Sequence, residues 1–249
     1  MKPHTGYIIR QLPNGVTLLN LLSGTLSVFF CYRGNTELAA GMVFLAAIFD
    51  FLDGFTARLL HSYSDLGKEL DSLADLVSFG VAPAFLMYQL ILFSLEPSQH
   101  RLWCVQTLQY LPALLVLCAG VRLALFNINP PDQESFSGMP TPANGIFFAS
   151  YALAFQGKDD TLSTLALSPW IITLALLLFS FLMVSTIPML TVKFSHLRWQ
   201  GNEYRYILVA VSLVLLILLH LTAIPFIIVA YLAVSLVRLS GNKQKNTVT

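Results

Sequence analysis

The residues of this chain predict an all-α protein, a polytopic membrane helix bundle with about eight transmembrane helices. Three observations carry that expectation. Only 11% of its 249 residues are charged and 56% are hydrophobic, whereas a soluble domain carries about 25% charged residues. Apolar runs of about 17 to 25 residues, long enough to cross a hydrocarbon layer, recur along the chain. The 14 basic residues are also segregated: with both ends on one face, only Arg33, Arg101 and Lys158 fall on the other. Such bias puts the basic face in the cytoplasm.

The first expected span, Pro13 to Tyr32, follows Gly6 to Leu12, which mixes apolar and polar residues as a short interfacial helix does. Pro13 suits a first helical turn. Asn14, Thr17 and Asn20 recur at every third position and form a polar stripe that faces a cavity or a neighbouring helix rather than lipid. The second span, Thr36 to Leu60, ends in Asp50 and Asp53, and the third, Asp71 to Phe93, opens with Asp71 and Asp75. Their spacings put each pair on one helix face, with side chains about 5 to 6 Å apart. Two such faces turned together line a pocket with oxygen. An aspartate deep in a bilayer costs roughly 2.5 to 3.5 kcal/mol, so four cost on the order of 10 kcal/mol unless water or metal compensates. Carboxylates holding hard divalent cations serve phosphoryl transfer, and a further carboxylate can take a proton.

Gly54 and Ala57 clear space beside these acids, although close helix packing accounts for either alone. Gly67, placed in the loop before the third span, permits a positive-φ turn or a close ligand approach, and Pro83 bends the third span. A fourth span, Leu102 to Phe126, carries Arg122 within its apolar run, either paired with an anion or snorkelling to the interface. The polar, Pro/Gly-rich segment Asn129 to Pro142 makes a cytoplasmic rim over the pocket. Thr141 to Gln156, Ser168 to Pro188, Tyr204 to His220 and Ala223 to Val237 complete the spans as scaffold, before a polar tail from Gly241 expected to be disordered. One domain, 1–249, is expected, with a catalytic core about 12–145, scaffold helices about 146–238 and a tail 239–249.

The histidines His4, His61, His100, His196 and His220 show no ligand spacing, and only His61, beside Ser62 in a loop, invites comparison with a base. Cys31, Cys104 and Cys118 lie in or beside apolar segments without paired spacing, as packing residues do. No basic tract suggests nucleic acid, and neither a phosphate-binding Gly-Lys-Ser/Thr motif nor a dinucleotide glycine fingerprint occurs.

The string Asp50-x2-Asp53-Gly54-x2-Ala57-Arg58-x8-Gly67-x3-Asp71-x3-Asp75 resembles the complete signature of the CDP-alcohol phosphatidyltransferase family. Pro13 to Asn20, Ser78 to Ala84, Arg122 to Asn127 and Phe136 to Ala143 resemble the branch of integral-membrane phosphatidylserine synthases, from which Leu125 and Asn144 depart. The resemblance implies that Asp50, Asp53, Asp71 and Asp75 hold a divalent metal, Mg or Mn, and that Asp75 also deprotonates the acceptor. It implies that Gly54, Ala57 and Gly67 make room for the cytidine nucleotide, while Asn14, Thr17, Arg58 and Ser64 hold it or its phosphates. Arg122 and Asn127 are the candidates for the lipid phosphate or serine. The expected reaction joins CDP-diacylglycerol and L-serine into phosphatidylserine and CMP, in the cell (inner) membrane, at a site facing the cytoplasm. A homodimer is implied as well. Glycerol 3-phosphate or an inositol phosphate is the alternative acceptor, and a non-enzymatic carrier the remote alternative.

Overall fold

The computed structural model describes residues 4–62, 64–94, 107–128, 138–158, 160–190 and 202–246, all in helices or the turns between them. His100, Cys104, His196 and rim residues 129–137 lie outside the described residues. Helix α1 (His4–Tyr32) passes straight through Pro13, so the expected interfacial piece and first span are one helix. Proline there forfeits a single backbone bond, and the Thr17 hydroxyl donates to the Pro13 carbonyl at 3.0 Å. Helix α2 (Thr36–Leu59) starts at Asn35, whose side chain accepts the Leu38 N–H at 3.0 Å. Its last turn closes with Ser62 N–H donating to Ala57 O at 3.1 Å and His61 N–H to Arg58 O at 3.4 Å. His61 takes the left-handed φ of 47° that this ending requires, so its place is explained by the turn.

Helix α3 (Asp65–Asp75) begins earlier than expected, because the Ser64 hydroxyl accepts the Gly67 N–H at 3.0 Å and caps its first turn. Gly67 is therefore helical rather than in a loop, and its φ is not positive. The chain then widens into a π-helical turn, Leu76–Val81, before α4 (Ala82–Ser94), the whole forming one apolar helix Asp65–Ser94. Pro83, where a bend was expected, follows directly on this turn as the second residue of α4. Proline has no N–H for the Phe79 carbonyl four residues back, and the ladder steps out to a five-residue bond, Ala82 N–H to Val77 O.

The remaining helices are α5 (Ala113–Ile128), α6 (Thr141–Phe155), α7 (Thr161–Ala166), α8 (Pro169–Val184), α9 (Glu203–Leu219) and α10 (Ile224–Asn246). Helix α10 reaches Asn246, so the tail expected to be disordered from Gly241 is helical that far. Gln11–Tyr32, Thr36–Leu59 and Asp65–Ser94 are long and apolar enough to cross a membrane, and Ala113–Ile128, Pro169–Val184 and Ile224–Arg238 are shorter apolar helices. The chain is an integral membrane protein, and three of the eight expected spans reach full length among the described residues.

Helix α1 packs along α2, and both close on the π turn together with α5 and α6. Small residues make that approach possible. Ala39, Ala40, Val43 and Ala46 of α2 are fully buried, and the Ser27 hydroxyl reaches across from α1 to donate to Ala39 O at 2.7 Å. At the π turn the contacts are tighter. A Cβ on Gly24 would stand 2.7 Å from Ser78 Cα, and one on Gly145 would stand 2.7 Å from Phe79 Cδ1. Phe79 then leads into the aromatic core of Phe147, Phe148 and Phe179, where the Phe147 and Phe179 rings stack at 3.9 Å. Gly145→Ala should therefore destabilise the detergent-solubilised protein by about 1–3 kcal/mol, read as a lower unfolding midpoint; an unchanged midpoint would show that this contact yields freely.

Candidate active site

The hairpin of α2 and α3 brings the two expected carboxylate pairs face to face. Asp50, Asp53 and Asp71 each offer an oxygen, and these oxygens lie within 4.8 Å of one another. Asp53 is 6% exposed, and its Oδ2, like Asp71 Oδ1, is buried without a hydrogen-bond donor. Buried carboxylate oxygens left without donors are costly. A hard divalent cation accepts such oxygens readily, so these residues fit a metal. Asp75 lies outside that group of three. It stands one helical turn beyond Asp71, 8% exposed, within the electrostatic reach of Asp50, Asp71 and Asp53. Its Oδ1 accepts the Asn20 amide at 3.4 Å.

Beside the acids opens a cavity of about 330 Å³. All seven residues expected to make room for or hold the nucleotide line it, Asn14, Thr17, Gly54, Ala57, Arg58, Ser64 and Gly67, together with Asp53 and Asp71. Thr17, whose hydroxyl is given to Pro13, stands next to Asp53 and can change acceptors. Ser64 and Gly67 also have structural duties. Ser64 is the cap of α3, and a Cβ at Gly67 would press to 2.8 Å of Asn14 Oδ1 and 3.0 Å of the Ser64 hydroxyl. Gly54 faces open space, with nothing within 4 Å of an added Cβ.

The cavity's two cations are turned to backbone carbonyls rather than to the acids. Arg58 Nε donates to Gly54 O at 3.0 Å, and Lys68, which also lines the cavity, donates to Asn127 O at 2.9 Å. Asn127 itself does not line the cavity; its amide donates to the Ser72 hydroxyl at 2.9 Å and so ties the end of α5 to α3. Arg122 is part-buried, donates through Nη1 to the Thr141 hydroxyl at 2.9 Å and stands within electrostatic reach of Asp75. Residues that the sequence reading left without a role, Asn20, Ser78, Thr141 and Asn144, prove to surround Asp75 and the π turn. The stripe Asn14, Thr17, Asn20 was the available signal for the first of them; Ser78 and Thr141 lay in segments that carried the family resemblance, and Asn144 was one of its departures.

The family model of CDP-alcohol phosphatidyltransferases matches residues 10–192. The chain belongs to the CDP-alcohol phosphatidyltransferase family. The matched region contains both aspartate pairs, the cavity and the π turn. A CDP-diacylglycerol–serine O-phosphatidyltransferase of Bacillus subtilis is 32% identical over 195 residues, 78% of this chain and 96% of that protein. One of Helicobacter pylori with the same name is 31% identical over 231 residues, 91% of this chain and 90% of that protein. An archaetidylserine synthase of Methanothermobacter thermautotrophicus is 33% identical over 151 residues, 57% of this chain and 58% of that protein.

Gly67→Ala is expected to destabilise by about 1 kcal/mol or more through the clash with Asn14 and Ser64. Gly54→Ala meets nothing and gains helix propensity of about 1 kcal/mol at most. Thermal melts of the two variants side by side check the contrast, and equal shifts would contradict it.

Proposed function

We propose that this phosphatidyltransferase moves the phosphatidyl group of CDP-diacylglycerol to the hydroxyl of L-serine, giving phosphatidylserine and CMP. The observation that carries the reading is the cavity itself: Asp53 and Asp71, two of three convergent carboxylates, line it together with two cations, Arg58 and Lys68, that are turned to backbone carbonyls. That pairing of charges suits a metal-chelated pyrophosphate. The names of the similar bacterial proteins support serine as the acceptor.

In this reading Asp50, Asp53, Asp71 and Asp75 hold a divalent cation, Mg or Mn. When bound, it supplies positive charge against the pyrophosphate oxygens and the departing CMP. Gly54, Ala57 and Gly67 give the cytidine room, while Asn14, Thr17, Ser64 and Arg58 hold the nucleotide. Lys68 leaves the Asn127 carbonyl for a phosphate oxygen. Asp75, oriented by the Asn20 amide, takes the proton of the serine hydroxyl. That oxygen then bonds to the phosphorus bearing diacylglycerol, and the bond from this phosphorus to the CMP oxygen breaks, CMP keeping the electron pair.

The whole chain, 1–249, acts as one membrane domain, with its catalytic core in about 12–145. The excess of basic residues on one face supports a site open to the cytoplasm in the cell (inner) membrane. Two copies forming a homodimer complete the reading.

Purified protein in detergent should release CMP from CDP-diacylglycerol only when both serine and a divalent cation are present. Equal turnover with glycerol 3-phosphate would overturn the acceptor assignment. Asp75→Asn should cut turnover by at least about 100-fold while CDP binding, read by calorimetry, persists; an active Asp75→Asn would remove it as the base.

A further inference from the structure

Beside Asp75 and the π turn, among the described residues and outside the acid cluster itself, three buried polar atoms have no partner. They are Asn20 Oδ1, Asn144 Oδ1 and Arg122 Nε. Asn20 and Asn144 are completely buried. Neither amide can be turned to relieve its oxygen. The Asn20 Nδ2 side faces the Asp75 carboxylate at 3.4 Å, and the Asn144 Nδ2 side faces the Phe79 carbonyl at 3.5 Å, the one that Pro83 leaves without its helical donor. Rotating either amide would set oxygen against oxygen. Both carbonyl oxygens are therefore held as acceptors awaiting donors, each at a cost of about 1–3 kcal/mol while unmet.

Arg122 is the complementary case. Its Nη1 is spent on the Thr141 hydroxyl at 2.9 Å, which fixes the plane of the guanidinium and leaves the Nε edge in want of an acceptor. Thr141 and Asn144 lie one turn apart on the same face at the start of α6, so the cation and the second amide are presented from neighbouring positions. The start of α6 adds the partial positive charge of its first turn beside the guanidinium. On the other side of the π turn, the Ser78 hydroxyl donates to the Asn20 carbonyl at 3.0 Å and so holds α1, and with it the Asn20 amide, against Asp75.

We propose that this ring is the acceptor subsite, in which Arg122 takes the carboxylate of the incoming amino acid and the side-chain oxygens of Asn20 and Asn144 take its ammonium group. The assignment rests on the serine reading above and deepens it. An ammonium has three N–H donors for two waiting oxygens, and a carboxylate matches the open edge of a guanidinium. Glycerol 3-phosphate meets the arginine but brings no ammonium, and its one spare hydroxyl can pair only one of the two amide oxygens, which sets the preference against it. The amino acid's hydroxyl then falls to Asp75, the one acid that Asn20 touches. Asn127, tied to Ser72, takes no part.

The test compares L-serine, L-serine methyl ester, which lacks the carboxylate charge, and 3-hydroxypropionate, which lacks the ammonium. Each is assayed with CDP-diacylglycerol and Mn in detergent. Arg122→Gln should lower kcat/KM for L-serine by about 100-fold while the methyl ester changes by less than about threefold. Asn144→Leu should raise the KM for L-serine by about tenfold and leave 3-hydroxypropionate unaffected. In both variants the KM for CDP-diacylglycerol should stay within about twofold of the parent, and CDP binding by calorimetry confirms the folded state of each. Arg122→Lys, which restores the charge without the planar edge, should recover part of the lost discrimination.

Losses in equal proportion on all three acceptors would overturn the subsite and make the ring a structural clamp. Serine turnover with no discrimination against the analogues in the parent protein would do the same while leaving the serine reading intact. Failure of the parent to use serine at all would bring down both.

Discussion

The helix that carries Asp71 and Asp75 changes its hydrogen-bond register directly after Asp75, and the position of the acids depends on how that change is secured. Pro83 withholds a donor from Phe79, the backbone widens between Leu76 and Val81, and the freed carbonyl is taken by Asn144 of α6. On the opposite side Ser78 bonds to the backbone of Asn20, and the Asn20 side chain bonds to Asp75. A widened turn left to itself is a soft point in a helix. Here glycines at 24 and 145 let α1 and α6 come so close that the turn has no room to relax. A polar network placed there fixes Asp75 against α1, because each bond in it is shielded from water and lipid alike.

That fixed point gives the rest of the site its logic. Four carboxylates in a chain that is only 11% charged are expensive to bury. Arg122 stands within electrostatic reach of Asp75, but the two cations of the cavity are not turned to the acids. Arg58 and Lys68 are turned to carbonyl oxygens nearby, and the acids keep oxygens with no donor at all. In the proposed reading the ligand supplies the missing partners: a cation for the acids and phosphate oxygens for the bases. On that proposal, binding repays an electrostatic debt left open by folding and favours a metal-bound pyrophosphate over a neutral ligand.

The membrane setting and the residues that line the cavity were legible in the chain because each depends on short-range pattern. Apolar run length gave α2 to within one residue, and the i+3 and i+4 spacings of the aspartates gave two coherent faces. The cavity lining expected from Asn14 to Gly67 also came together. Other features were displaced. Helix α3 starts at Asp65 because a serine hydroxyl caps it, and apolar counting does not see a polar first turn. Gly67 serves a close approach by Asn14 rather than a turn. Asn127 serves as a strut, since its amide finds Ser72 on a helix more than fifty residues away in sequence.

What the sequence determined by itself was the kind of protein, the pairing of its acids and the wall of its pocket. Those follow from hydrophobic length, helical period and steric smallness, all of which are local. What only the tertiary structure decided was which polar groups gather about Asp75, Arg122 and the π turn. Asn20, Ser78, Thr141 and Asn144 lie on three elements far apart along the chain, and their hydrogen bonds exist only because close helix packing carries those elements to one π turn.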